Sequence, residues 1–159
     1  MKVRLLDVNV LVSLLDSAHV HHQQAVQWFR AVAATEGWAT CPITENGFIR
    51  VVSGVSYPNF RLTPAMAAQS LQRFKAGFSG VHRFWPAEVS LADPAVFDLN
   101  CLTGARQTTD VYLAATAFRN GGLFTTIDGG VQWRAVQGAS ADLVERIAGS
   151  AKPGTDRQA

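Results

Sequence analysis

Apolar and polar positions along this chain fall into blocks whose period changes, and the changes mark out the elements. Val3-Arg4-Leu5-Leu6-Asp7-Val8 is a short apolar run ending in a polar turn, the pattern of a buried strand. A helix is predicted over residues 9–15, with Asp16-Ser17 stopping it and capping the next. Ala25, Trp28, Phe29 and Val32 then share one face of an amphipathic helix, which Gly37 ends. Trp38-Ala39-Thr40-Cys41 reads as a second strand closed by Pro42. A helix over residues 44–53 carries Phe48, Ile49, Val52 and then Val55 as its apolar face. Thr63-Pro64 starts another, a cap followed by proline at the first helical position, with Ala67, Leu71, Phe74 and Phe78 as the stripe.

The second half repeats the alternation. Val81-His82-Arg83-Phe84-Trp85 reads as a strand stopped at Pro86, Asp93-Pro94 as the start of a short helix to about Leu99, and residues 104–107 as a loop. Thr108-Thr109-Asp110 resembles a helix cap followed by Val111, Ala114, Ala115 and Phe118 at helical spacing, and Asn120-Gly121-Gly122 ends that helix. Leu123-Phe124-Thr125-Thr126-Ile127 is a strand ending at Asp128-Gly129-Gly130, and a last strand lies within residues 141–147. The expected fold is α/β, one domain over residues 1–148 with a central, mainly parallel sheet of four to five strands flanked by helices. Residues 149–159, small, polar and proline-bearing, are expected to form a flexible tail.

Composition narrows this. With 159 residues, 48% hydrophobic and 16% charged, the chain can build a core, which excludes wholesale disorder. Asp7, Asp16 and the histidines at 19, 21 and 22 interrupt the best membrane-helix candidate. Met1-Lys2-Val3-Arg4 leads into a strand without a small-residue cleavage site, so a cytoplasmic protein is expected. Cys41 and Cys101, without metal-ligand spacing, read as buried free thiols. The three clustered histidines read as solvated or capping residues, and Trp28, Trp38, Trp85 and Trp133 as core.

Four acids stand at element junctions. Asp7 interrupts an apolar run, Glu45 lies in the first turn after the second strand, Asp110 begins a helix and Asp128 follows a strand. In parallel sheets, ligands bind beyond the carboxyl ends of the strands, so all four are expected at one edge. Crowded carboxylates repel and persist only with a cation or shared protons. Oxygen-only ligands suit Mg²⁺ or Mn²⁺, ions that activate water against a phosphodiester. Each acid also has an ordinary role open to it: Asp110 as a cap, Asp128-Gly129 as a turn, Glu45 at a helix dipole, Asp7 in turn chemistry. Of the 14 cations 11 are arginines, and setting four acids aside leaves 14 cations against eight anions, a balance that suits a phosphate-bearing polymer. Arg50 and Arg106, each near an acidic motif, are the first candidates for contact with such a polymer.

Leu5-Leu6-Asp7-Val8-Asn9-Val10-Leu11-Val12 resembles the opening signature of PIN-domain ribonucleases, especially the VapC-type toxins of VapBC toxin–antitoxin pairs. Residues 44–51, 109–115 and 124–130 resemble the family's second, third and fourth acidic motifs, and residues 19–25 the opening of its second helix. The resemblance spans about residues 3–147 in the family's order. It implies an Mg²⁺-dependent (or Mn²⁺-dependent) endoribonuclease with Asp7, Glu45, Asp110 and Asp128 as catalytic and metal-ligating acids. Asn9, Thr109 and Thr126 are implied as polar groups that support them. It also implies a VapB-type antitoxin and a homodimer, and Phe48, Ile49, Val52, Phe74 and Phe78 are expected to supply apolar contact surface. Two other readings stay open: a non-catalytic RNA- or partner-binding module of the same fold, and a haloacid-dehalogenase-type phosphatase. The latter needs an aspartate where Asn9 stands and a lysine in a later motif, for which Lys75 and Lys152 lie in the wrong context.

Overall fold

In the computed structural model, which describes residues 1–148, every strand runs parallel to its neighbours. Strand β1 (Arg4–Leu6) is central, and the five-stranded sheet has the order β3-β2-β1-β4-β5. Helix α1 (Val8–Leu15) follows β1 directly. Next come α2 (His22–Trp28), a π turn (Phe29–Ala33) and α3 (Ala34–Glu36), then β2 (Trp38–Thr40). Helices α4 (Pro42–Val52) and α5 (Pro64–Gly77) precede β3 (His82–Phe84). After a long irregular stretch, α6 (Thr108–Arg119), β4 (Leu123–Thr126) and β5 (Val144–Arg146) complete the layers. The α/β class and the parallel sheet agree with expectation; residues 149–159, expected as a tail, lie outside the described residues.

Alternation along the strands divides the core in two. Leu5, Ala39 and Phe124 face α6, with Val111, Ala114 and Ala115. Leu6 and Trp38 face α1, the α2–α3 segment, α4 and α5, with Val10, Leu11, Phe29, Phe48 and Leu71. Phe74 and Phe78 pack on Phe29 and Trp38, with ring centroids 5.0–6.5 Å apart. Phe48 and Val52 are buried. The aromatic surplus expected at a contact surface is therefore largely internal, whereas Val55, expected on a packed helix face, is beyond α4 and exposed.

Other departures have local causes. The π turn stacks Ala33 in line with Phe29, so Ala33 rather than Val32 is buried. Pro42 opens α4 rather than closing β2: it occupies the first helical position, and Thr44 Oγ1 accepts the Cys41 N–H at 2.9 Å. No α-helix forms after Asp93-Pro94. One turn closes there, and Phe97 then extends into an antiparallel bridge with Val136, where burying its ring outweighs continuing the helix. Cys41 is a buried free thiol as expected, but Cys101 is only half-buried. Trp38 and Trp85 are core, while half-buried Trp28 donates to Glu145 and Trp133 lies under Arg134.

One close approach sets the helices around the end of β1. A Cβ built on Gly47 of α4 would stand 2.5 Å from Val8 Cγ2 of α1, so the absence of a side chain lets α4 settle beside the residue after Asp7. Gly47→Ala is expected to cost ~1–3 kcal/mol through overpacking, despite alanine's better helix propensity. Urea unfolding of Gly47→Ala and of Gly47→Ala/Val8→Ala checks this, because shortening Val8 should recover part of the loss.

Candidate active site

The chain leaves β1 through α1 and builds outward to β2 and β3, then returns to the other side of β1 to lay down β4 and β5. The β1–β4 boundary is thus the switch point, where no crossover helix closes the crevice beyond the strand ends. Asp7 and Asp128 follow those two strands. Asp110 lies in the first turn of α6, which begins at Thr108 rather than being capped by Asp110.

Asp7 is only 7% exposed. Its Oδ1 accepts the Val8 N–H at 2.7 Å and its Oδ2 accepts the Thr126 hydroxyl at 2.7 Å. Thr126 Oγ1 in turn accepts from Asn9 Nδ2 and from the Asp128 N–H, both at 3.1 Å, and Ile127 N–H donates to Asn9 Oδ1 at 3.3 Å. One hydroxyl therefore ties the ends of β1 and β4 together and aims the Asp7 carboxylate. Asn9 and Thr126 both act on Asp7 in this way. Thr109, by contrast, is exposed and makes no side-chain hydrogen bond among the described residues.

The electrostatics follow from this packing. Burial, with repulsion from Asp110 and Asp128, pushes the Asp7 carboxyl up to about 6 against the lowering effect of its hydrogen bonds. Burial, then Asp128, also raises Asp110. These three acids feel one another. Glu45 reaches the same sheet edge but is engaged elsewhere: its Oε1 accepts from Lys75 Nζ at 2.5 Å and from the Thr40 hydroxyl at 2.6 Å. With the Thr40 proton committed to Glu45, His82 Nε2, 2.9 Å away, is left as donor to Thr40. Burial and Lys75 hold that imidazole down at about 4, so it is neutral near pH 7.

The four expected acids are thus three mutually repelling aspartates and a glutamate paired with a lysine. Among the described residues no three His, Cys, Asp or Glu side chains are gathered closely enough to ligate one ion by themselves. An all-oxygen donor set in which neighbouring carboxylates repel Asp7 and Asp110 still fits Mg²⁺, which keeps several waters and takes as few as one or two carboxylates beside substrate phosphates. The histidines form no metal cluster; the His22 ring meets the Ser13 carbonyl and His19 Nδ1 accepts the His21 N–H.

Arg50 and Arg106 are exposed and form no ion pair among the described residues. Two residues escaped sequence reasoning. Lys75 arrives from the last turn of α5, where a lone lysine carries no motif. Arg146 ends β5 opposite Thr126 and donates through Nε to the Ile127 carbonyl at 3.1 Å. Its place beside the fourth acidic motif depends on strand order.

Comparison with known proteins decides the family. A Mycobacterium tuberculosis protein named Ribonuclease VapC44 is 43% identical over 136 residues, covering 86% of this chain and 93% of that relative. The chain belongs to the VapC ribonuclease family. Ribonuclease VapC39 and Ribonuclease VapC29 of the same species are 40% identical over 141 residues and 38% over 129, covering 89% and 80% of this chain and 96% and 86% of those relatives. No family model matches the chain. The sheet and helix order agree with the PIN-like fold expected of VapC proteins, and membership sets aside the haloacid-dehalogenase reading. No helix of the described residues is long and apolar enough to cross a membrane.

Asp7 supplies a test of the repulsion. Its carboxyl titrates at about 6 in the fold against 3.8 ordinarily, so between those values the folded chain holds the extra proton. The stability tied to that proton is complete below about pH 4 and lost as pH rises through 6, by up to roughly 3 kcal/mol. In EDTA, Asp7→Asn should escape this loss and be ~1–3 kcal/mol more stable than the parent near neutrality, the two converging toward pH 4. Chemical unfolding across that range checks it; parallel curves would contradict it.

Proposed function

We propose that this VapC-family chain is an Mg²⁺-dependent endoribonuclease, the toxin of a VapBC pair. The observation that carries the reading is the buried Asp7, repelled by Asp110 and Asp128 and held by Thr126 at the sheet's switch point. A buried carboxylate among acids, with no ion pair among the described residues, favours a bound cation. Asp7 and Asp110 would hold Mg²⁺ or Mn²⁺, with Asp128 and Glu45 completing the acidic set. When bound, such an ion acidifies water and offsets charge building on the phosphodiester.

The chain's own residues prepare the rest. Thr126 and Asn9 keep Asp7 in one rotamer, so the acid does not swing when RNA enters. Asp128, exposed at the mouth, can take the proton of an attacking water through a carboxylate oxygen. Lys75 neutralises Glu45 and lessens the acidic field that a polyanion must approach. A VapB-type antitoxin partner, a homodimer and a cytoplasmic site of action complete the proposal, as the resemblance of the acidic motifs implies.

Asp110→Asn should lower RNA cleavage roughly a hundredfold or more while leaving the fold intact. EDTA should abolish the parent's activity, with Mg²⁺ or Mn²⁺ restoring it and Ca²⁺ binding without turnover. The readout is sequencing of RNA ends generated by the purified chain. Undiminished activity of Asp110→Asn in Mg²⁺ contradicts the acidic-centre reading. RNA binding that survives EDTA and loss of Asp110, with no cleavage by the parent, favours the non-catalytic module.

A further inference from the structure

Most cations near the sheet's carboxyl edge are either committed or unoriented. Lys75 is bound to Glu45. Arg83 donates to the carbonyl of its neighbour His82. Arg50 and Arg106 have no hydrogen bond or ion pair to fix them among the described residues, so each would lose rotamer freedom on meeting a ligand. Arg146 differs from all of these.

Its backbone lies opposite Thr126, the residue that aims Asp7. Its Nε is anchored on the Ile127 carbonyl at 3.1 Å. Its guanidinium lies against Gly129, where a Cβ would stand 3.4 Å from both Cζ and Nη1. The cationic head is thus held by the residues on either side of Asp128. Its two Nη groups make no hydrogen bond among the described residues, no carboxylate pairs with it there, and the residue is exposed. Buried Arg4 shows the contrast, spending its donors on Glu36 and Glu145.

A guanidinium fixed through Nε with a free Nη pair presents a fork matched to two phosphate oxygens. Because the head is oriented before the ligand arrives, little ordering cost is set against the contact. We infer that Arg146 is a substrate-binding residue of the acidic centre, gripping a backbone phosphate of RNA at the Asp128 edge through its Nη groups. The inference rests on the nuclease reading for the identity of the ligand. It replaces Arg50 and Arg106 as the first phosphate contact, because among the described residues Arg146, unlike those two, is anchored by a hydrogen bond while free of an ion pair.

The test uses the full chain, a labelled single-stranded RNA oligonucleotide of mixed sequence, and three KCl concentrations. Binding is read by anisotropy in Ca²⁺, cleavage in Mg²⁺. Arg146→Ala and Arg146→Gln should each weaken binding roughly tenfold, the loss of one charge-assisted contact. Each should also flatten the salt dependence by about 0.7 log units per decade. Arg146→Lys should restore the salt slope without the full affinity, keeping the charge but losing the fork and the Nε anchor. Arg119→Ala is the matched charge control: Arg119 ends α6, about 13 Å along the helix from Asp110, and faces Glu88. Folding is checked by circular dichroism, and Arg146→Gln, close in length, guards against a misfolded alanine variant. Parental affinity and slope in folded Arg146→Gln overturn the inference, as does an equal loss in Arg119→Ala. Failure of the nuclease reading is seen separately, in the parent's cleavage.

Discussion

A carboxylate almost out of reach of water, with two more close enough to repel it, is the constraint around which the functional end of this molecule is arranged. Asp7 is the capping residue between β1 and α1, so it cannot be moved outward without unravelling the start of that helix. Its backbone N–H is bonded to the Thr125 carbonyl of β4 at 2.9 Å, which commits it to the β1–β4 boundary. Desolvation raises its pKa, and the Val8 and Thr126 hydrogen bonds pull the other way without overcoming it. The site is therefore built at a cost to the stability of the fold.

What surrounds the acid is correspondingly over-determined. Thr126, fully buried, receives two donors and gives its own proton to Asp7, so hydrogen bonds tie β1, β4 and the loop to Asp128 together. On the other flank, Gly47 allows α4 to close on Val8, and Lys75 and Thr40 hold Glu45. The two halves of the edge differ in character. Beside β4 the aspartates form no ion pair among the described residues, whereas beside β2 Glu45 has a lysine and a neutral histidine at hand.

Much of this was legible in the sequence because the governing signals are local. Asp7, Asp110 and Asp128 interrupt or bound apolar runs, and a period-two or helical pattern shows where a strand or helix must stop. Parallel order follows from the alternation of elements, and the shared edge follows from parallel order. The illegible parts depend on distance in the chain. Lys75 meets Glu45 from 30 positions away across two helices, and no pattern within α5 separates it from a solvated lysine. Arg146 gains its place from the pairing of β5 with β4. The helix expected after Asp93-Pro94 lost to a long-range bridge between Phe97 and Val136. Phe74 and Phe78 were legible as an apolar stripe but not as internal, because the ring cluster they join includes Trp38 and Phe29 from other elements.

Burial and neighbouring aspartates hold Asp7 protonation-prone, and the proposed divalent cation would reverse this. Carbon-13 titration of the Asp7 carboxyl by NMR, with Asp7→Asn to assign the resonance, measures this directly in EDTA and in Mg²⁺. The expected midpoint lies near 6 in EDTA and falls well below the usual carboxylate range once Mg²⁺ is added. An ordinary aspartate midpoint in EDTA that Mg²⁺ leaves unmoved would contradict it.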